Sequence, residues 1–146
     1  MTTSFRELRF SSPAHVFGIA ALSGFLVFLS IPIFDWWPLA WLALAPVMLV
    51  LHDSPHRMIA AGLTFGFVSG VGKVYWITET VVQYGGLNLV LGLFSMSLVA
   101  LLVGVYGFIF CIFVARTEWQ RTLFPLLAAS VWTAMELLQT YLFTGF

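Results

Sequence analysis

Polar residues are sparse along this chain, and their clusters divide it into long apolar runs. Five runs emerge, at about 14–33, 37–51, 57–78, 88–115 and 122–145. Crossing a bilayer takes roughly 20 apolar residues in helical form, so each run predicts a membrane-crossing helix. The second run is short. In it Pro38 suits a helix's first turn, and Pro46 predicts a kink. The fourth is long enough to tilt or to protrude. No internal repeat, low-complexity segment or linker separates the runs, so a single domain over 1–146 is expected.

Composition turns this pattern into a class. Of 146 residues, 61% are hydrophobic and 8% charged, and the mean hydropathy is +1.02. A soluble domain carries about 25% charged residues. The expected fold class is therefore all-α: a polytopic membrane bundle of about five transmembrane helices. Fifteen Phe and six Trp agree with it, since Trp and Tyr favour the headgroup level. The net charge of zero and the lack of a basic run argue against nucleic acid as a partner. Arg6 and Arg9 precede the first run, as in a signal peptide, but that run is too long for a signal core. It also ends in Ile31-Pro32-Ile33-Phe34-Asp35 rather than a small-residue cleavage site. It reads as a retained helix.

The loops then set the orientation. Arg6 and Arg9 precede the first run, Arg57 lies in the second connection, and Arg116 and Arg121 lie in the fourth. The alternate connections, around Asp35 and Tyr84-Gly85-Gly86, carry no Lys or Arg. The positive-inside rule makes the basic side cytoplasmic. The N-terminus is then cytoplasmic, and five crossings bring Phe146 to the outer face.

A few residues inside the runs need explaining. Gly62, Gly66 and Gly70 form a small-xxx-small row that admits a close helix neighbour. On a helical wheel Lys73 lies about 20° from Gly62, so it should face protein or a wet cavity. Two roles stay open for it: snorkelling or structural pairing, and contact with a substrate. Trp76 and Gln83 continue along that side if the helix persists. Glu79, at the outer end and beside Tyr75 and Trp76, is either plainly solvated or lines the mouth of a site for a polar-headed lipid.

Glu136 is the stronger signal. It sits near the middle of the fifth run, where an acidic group costs about 2.5–3.5 kcal/mol to insert. Trp132, Glu136, Gln139, Thr140 and Phe143 share one helical face, which should point into the bundle. There the carboxylate needs a partner or a proton. It either fixes packing or supports an outward-opening substrate cavity, and the two can coexist.

Catalytic signatures are missing. The sequence holds no HExxH, no GxSxG and no phosphate-binding glycine loop. Cys111 stands alone in an apolar run with no histidine on its helix. His52 and His56 are separated by Pro55, which disfavours the helix a metal site would need. No catalytic residue, metal site or cofactor is expected in this chain.

Three stretches in order, FDWWP, GKVYWITETVVQYGGL and WTAMELLQTYLFTGF, carry a family likeness. Together they resemble the N-terminal membrane domain of bacterial apolipoprotein N-acyltransferases. The matching positions are Trp37-Pro38, Gly72 and Trp76, Tyr84-Gly85-Gly86, Trp132 and Glu136, and Thr144-Gly145-Phe146. The likeness covers nearly the whole chain from about residue 14. It implies a protein of the bacterial inner membrane whose complete form takes an acyl chain from a membrane phospholipid. The acceptor is the N-terminal diacylglyceryl-cysteine of an apolipoprotein, reached through a thioester. In that family the Cys, Glu and Lys that do the chemistry lie on an outer-face nitrilase-like domain. None has a counterpart here, and Cys111 is not the nucleophile. Trp76, Glu79, Glu136 and Phe146 are the residues expected nearest the lipid cavity. Family members tend to carry Arg where Gln139 stands and Gly where Thr140 stands, so Glu136 is expected to lack an Arg partner and to hydrogen-bond while protonated.

The fifth run continues straight to Phe146, where the family pattern goes on to Pro-Trp. The chain is therefore expected to be the front of a longer enzyme, inactive in isolation. The competing expectation is a complete small membrane protein, a scaffold or accessory subunit held to a partner through its glycine row.

Overall fold

A computed structural model describes residues 12–31, 33–34, 36–118 and 122–142. Among these residues the ordered structure is helical, with no strand. Helix α1 (Pro13–Leu29) starts at Ser12, which has extended backbone, with Pro13 in the first turn. Proline is suited there, because its missing N–H would have had no intrahelical partner. A short 3-10 turn over Trp37–Leu39 leads into α2 (Ala40–Ala43) and α3 (Ala45–Asp53). The break at Leu44 is the kink expected from Pro46. A proline ring at that position clashes with the preceding turn and supplies no N–H.

The segments Trp37–Asp53 and Pro55–Val74 bend by 116° at Ser54. Ser54 has φ −138° and ψ 62°, non-helical as expected of a residue before proline. Helix α4 (Met58–Val74) then stops earlier than the run 57–78 suggests. After Tyr75 come one turn, α5 (Trp76–Glu79), and a π-turn over Thr80–Tyr84. In that π-turn the Gly85 N–H donates to the Thr80 carbonyl at 3.2 Å. Gly86 has φ +64°, and the Asn88 side chain accepts from Leu91 N–H at 2.9 Å, capping α6 (Leu89–Arg116). Helix α7 (Phe124–Leu142) closes the described chain.

Small residues set how these helices pack. A side chain at Gly104 would come within 2.6 Å of the Gly66 carbonyl, and one at Gly70 would strike the Ala100 carbonyl. The backbones of α4 and α6 thus touch, running antiparallel. On its other flank α4 meets α1, where Gly24 lies against Phe65 and Ser69, and Gly72 against Phe28. That register is parallel. The Ser23 hydroxyl, buried, donates to the Ala43 carbonyl and ties α1 to α2. The largest buried cluster joins Val16, Val47, Leu51, Phe65, Phe110 and Val114.

The outside of this bundle is apolar. Leu98, Leu101 and Leu102 on α6, Leu63 on α4 and Leu126, Leu137 and Leu138 on α7 are all about half exposed or more. Among the described residues α6 is the one helix long and apolar enough to cross a membrane unaided. The bent pair Trp37–Asp53 and Pro55–Val74 meets the same measure jointly, and α1 is apolar but shorter.

Candidate functional site

Three helices converge where α4 ends. Lys73 is the next-to-last residue of α4, and it lines one cavity with Ile31, beyond α1, and with Glu136 and Gln139 of α7. The Lys73 ammonium donates to Glu136 Oε1 at 2.6 Å and to Gln139 Oε1 at 3.2 Å. Its nitrogen also stands 5.5 Å from the centre of the Trp132 ring, within the range where an aromatic face attracts a cation. The side chains of Lys73 and Glu136 remain 19% and 38% exposed. That exposure opens onto a cavity of about 260 Å³ lined by Ile31, Lys73, Val74, Glu136 and Gln139.

Spacing along α7 explains why these groups meet. Phe124, Ala128, Trp132, Glu136 and Gln139 recur every three or four residues, one continuous face of a helix. Its first half is apolar, with Phe124 and Ala128 buried in the main cluster. Trp132 follows, packing against Phe65 and Phe110 with ring centroids at 5.8 and 5.1 Å. Its second half is polar and ends at Gln139, only 5% exposed. The face therefore passes from core contact to the Lys73 ammonium. Thr140, expected on it, is exposed and returns its hydroxyl to the Glu136 carbonyl. Phe143 lies outside the described residues.

Glu136 thus has a cation after all. The expectation that it hydrogen-bonds while protonated, for want of an arginine at 139, gives way to an ion pair with Lys73, 63 positions away. Lys73 is structurally paired, and it also borders the cavity. Trp76 and Glu79 do not line this cavity. The helix is interrupted at Tyr75, and both residues are exposed, with Glu79 accepting from Gln83 at 2.9 Å. Phe146 lies outside the described residues. Gly62, Gly66 and Gly70 are buried along the α4–α6 contact, with Gly62 against Phe108 and Cys111. The complementary stripe on α6, Ala100, Gly104, Gly107 and Cys111, was not anticipated, although its three- and four-residue spacing is visible in the sequence. Cys111 is fully buried at that contact. Among the described residues no three His, Cys, Asp or Glu side chains cluster as metal ligands.

The sequence profile described as the apolipoprotein N-acyltransferase N-terminal domain matches residues 23–146. The chain belongs to that family. Among relatives of the N-acyltransferase family, an apolipoprotein N-acyltransferase of Geobacter metallireducens is 32% identical over 140 residues, 92% of this chain. One from Haemophilus influenzae is 29% identical over 142 residues, 96% of this chain. One from Pseudomonas paraeruginosa is 31% identical over 143 residues, 92% of this chain. The chain spans about a quarter of the length of these N-acyltransferases, 26% of the first two and 27% of the third. No solved structure matches it.

Proposed function

We propose that this chain is the membrane-embedded N-terminal part of an apolipoprotein N-acyltransferase. The whole enzyme would move an acyl chain from a membrane phospholipid to the N-terminal diacylglyceryl-cysteine of an apolipoprotein. Five helices cross the bacterial inner membrane in this reading, with the N-terminus cytoplasmic and residue 146 on the outer face. They anchor the enzyme and shape the cavity through which lipid reaches a nucleophile on a nitrilase-like domain outside these residues.

Several features support this topology. Trp132 against Phe65 and Glu136 against Lys73 make α7 parallel to α4, as α1 is, while α6 runs the other way. Parallel α1, α4 and α7 fit the first, third and fifth of five alternating crossings. Arg57 and Arg116 fall at the opposite end of the α4–α6 pair from Lys73, which suits a cytoplasmic basic face. The half-exposed leucines suit contact with lipid.

The observation that carries the cavity role is the Lys73–Glu136–Gln139 cluster beside open space. Ionisable groups within membrane helices are costly, and they mark substrate paths when they face a cavity. Trp76 and Glu79 then stand at the outer mouth of the bundle, and Phe146 at the outer end of the fifth crossing.

Complementation tests the reading. In cells depleted of their own acyltransferase, residues 1–146 alone should restore no lipoprotein N-acylation. A chimera with residues 1–146 replacing the matching quarter of the Geobacter metallireducens relative should restore it. Rescue by residues 1–146 alone would place the chemistry in this chain and overturn the proposal.

A further inference from the structure

We propose that Lys73 and the cavity beside it bind the ester-carbonyl region of a glycerolipid, whatever headgroup that lipid carries. The proposal rests on the lipid-access reading above and names what the cavity recognises.

An ammonium carries three N–H donors. Among the described residues two acceptors meet that of Lys73, Glu136 Oε1 at 2.6 Å and Gln139 Oε1 at 3.2 Å. No third acceptor meets the ammonium among the described residues, and a ligand in the adjoining cavity would supply one. Charge decides what that is. Glu136 neutralises the ammonium, so the site has no net charge to offer an anion. A phosphate would also stand against the Glu136 carboxylate, and like charges disfavour one another at such range. An ester carbonyl supplies an acceptor oxygen without a charge.

The remaining walls fit the same ligand. Ile31 and Val74 are apolar and suit the first methylenes of an acyl chain, in the usual pattern of a pocket with few polar groups. The cavity of about 260 Å³ has room for one ester group and the start of its chain. The rest of the chain would run along the exposed leucines.

Two molecules could bring this ester: a membrane phospholipid, or the diacylglyceryl-cysteine at the start of an apolipoprotein. Both carry it on glycerol. The test compares ester-linked with ether-linked lipids, since an ether keeps the chain and headgroup but loses the carbonyl. The full chain, purified in detergent, would be offered equal mixtures of diester and diether phosphatidylcholine. The same pairing with phosphatidylglycerol follows, and retained lipid is counted by native mass spectrometry. A second arm uses a diacylglyceryl-cysteinyl peptide against its dialkyl counterpart.

The diester form should be retained about fivefold over the diether, the worth of one net hydrogen bond. The ratio should be the same for both phospholipid headgroups. A preference in one arm only assigns the ester to that source. The double variant Lys73→Met with Glu136→Gln leaves no unpaired charge and should bring the ratio to one while the melting profile stays cooperative. Gln139→Leu removes a competing acceptor and should keep or raise the preference. Equal retention of ester and ether lipids in both arms would overturn the proposal while leaving lipid access intact, and so would retention that follows headgroup charge. No lipid retained in either arm would remove both readings together.

Discussion

Lys73 and Glu136 are joined by a 2.6 Å ion pair between α4 and α7. Together with Gln139 it holds the C-terminal half of α7, where Leu137, Leu138, Tyr141 and Leu142 are exposed. The N-terminal half of α7 is fixed differently, by the burial of Phe124 and Ala128. One helix is thus secured by apolar packing at one end and by a polar clasp at the other.

Removing one partner should hurt more than removing both. Lys73→Met strands the Glu136 carboxylate in a partly buried site, and Glu136→Leu strands the ammonium. Each should cost about 1–3 kcal/mol, less than for a fully buried pair because Glu136 keeps some access to water. Lys73→Met combined with Glu136→Leu should lose less than the sum of the two. A thermodynamic cycle from denaturant unfolding in micelles measures the difference. Simple additivity would mean that the pair does not couple the helices.

The α4–α6 crossing predicts a sharp contrast between glycines. Gly66→Val drives a branched side chain into the Gly104 backbone, and Gly104→Val does the converse. Overpacking of this kind costs about 1–3 kcal/mol and often more when backbone is the obstacle. Gly18, on α1, has nothing within 4 Å of where its side chain would begin. Gly18→Ala should be neutral or stabilising by up to about 1 kcal/mol, since alanine is the better helix former. Thermal melts of the three variants separate these outcomes.

How much of this was legible follows from which forces are local. Helix positions came from apolar length, and the breaks at Leu44 and Ser54 from Pro46 and Pro55, whose effects act within a turn. The inward faces of Lys73 and Glu136 came from helical period. That the two would meet did not, because it depends on α4 and α7 being parallel and adjacent. The α6 stripe was readable in its spacing but hidden in a run where nearly every residue is apolar. The early end of α4 was not readable at all. Val74-Tyr75-Trp76 carries no proline or glycine to announce an interruption.

Orientation can be tested with a thiol probe, because the native cysteine stays out of the way. Cys111 is fully buried, so a membrane-impermeant maleimide should leave the unaltered chain unlabelled in intact spheroplasts. Tyr84 is 85% exposed in the turn before α6, and Tyr84→Cys should label readily from outside. His56→Cys, in the connection before α4, should label only after the membrane is permeabilised. Labelling of both positions from one side would refute the alternating topology.

The turn before α6 makes the last prediction, and its two stabilising devices can be separated. Gly86 adopts φ +64° with open space around it, so a side chain there meets no obstacle except its own backbone. Gly86→Ala should therefore cost about 1–2 kcal/mol from the left-handed conformation alone. Gly86→Asn should cost less, since asparagine tolerates that region. Two residues on, Asn88 accepts from the Leu91 N–H, and Asn88→Ala should cost about 1 kcal/mol through the lost cap. Asn88→Asp should keep most of the stability, because a carboxylate also caps a helix start and suits its dipole. Unfolding followed by tryptophan fluorescence distinguishes the four variants. Equal losses from alanine and asparagine at position 86 would mean that the positive φ is not what the glycine supplies.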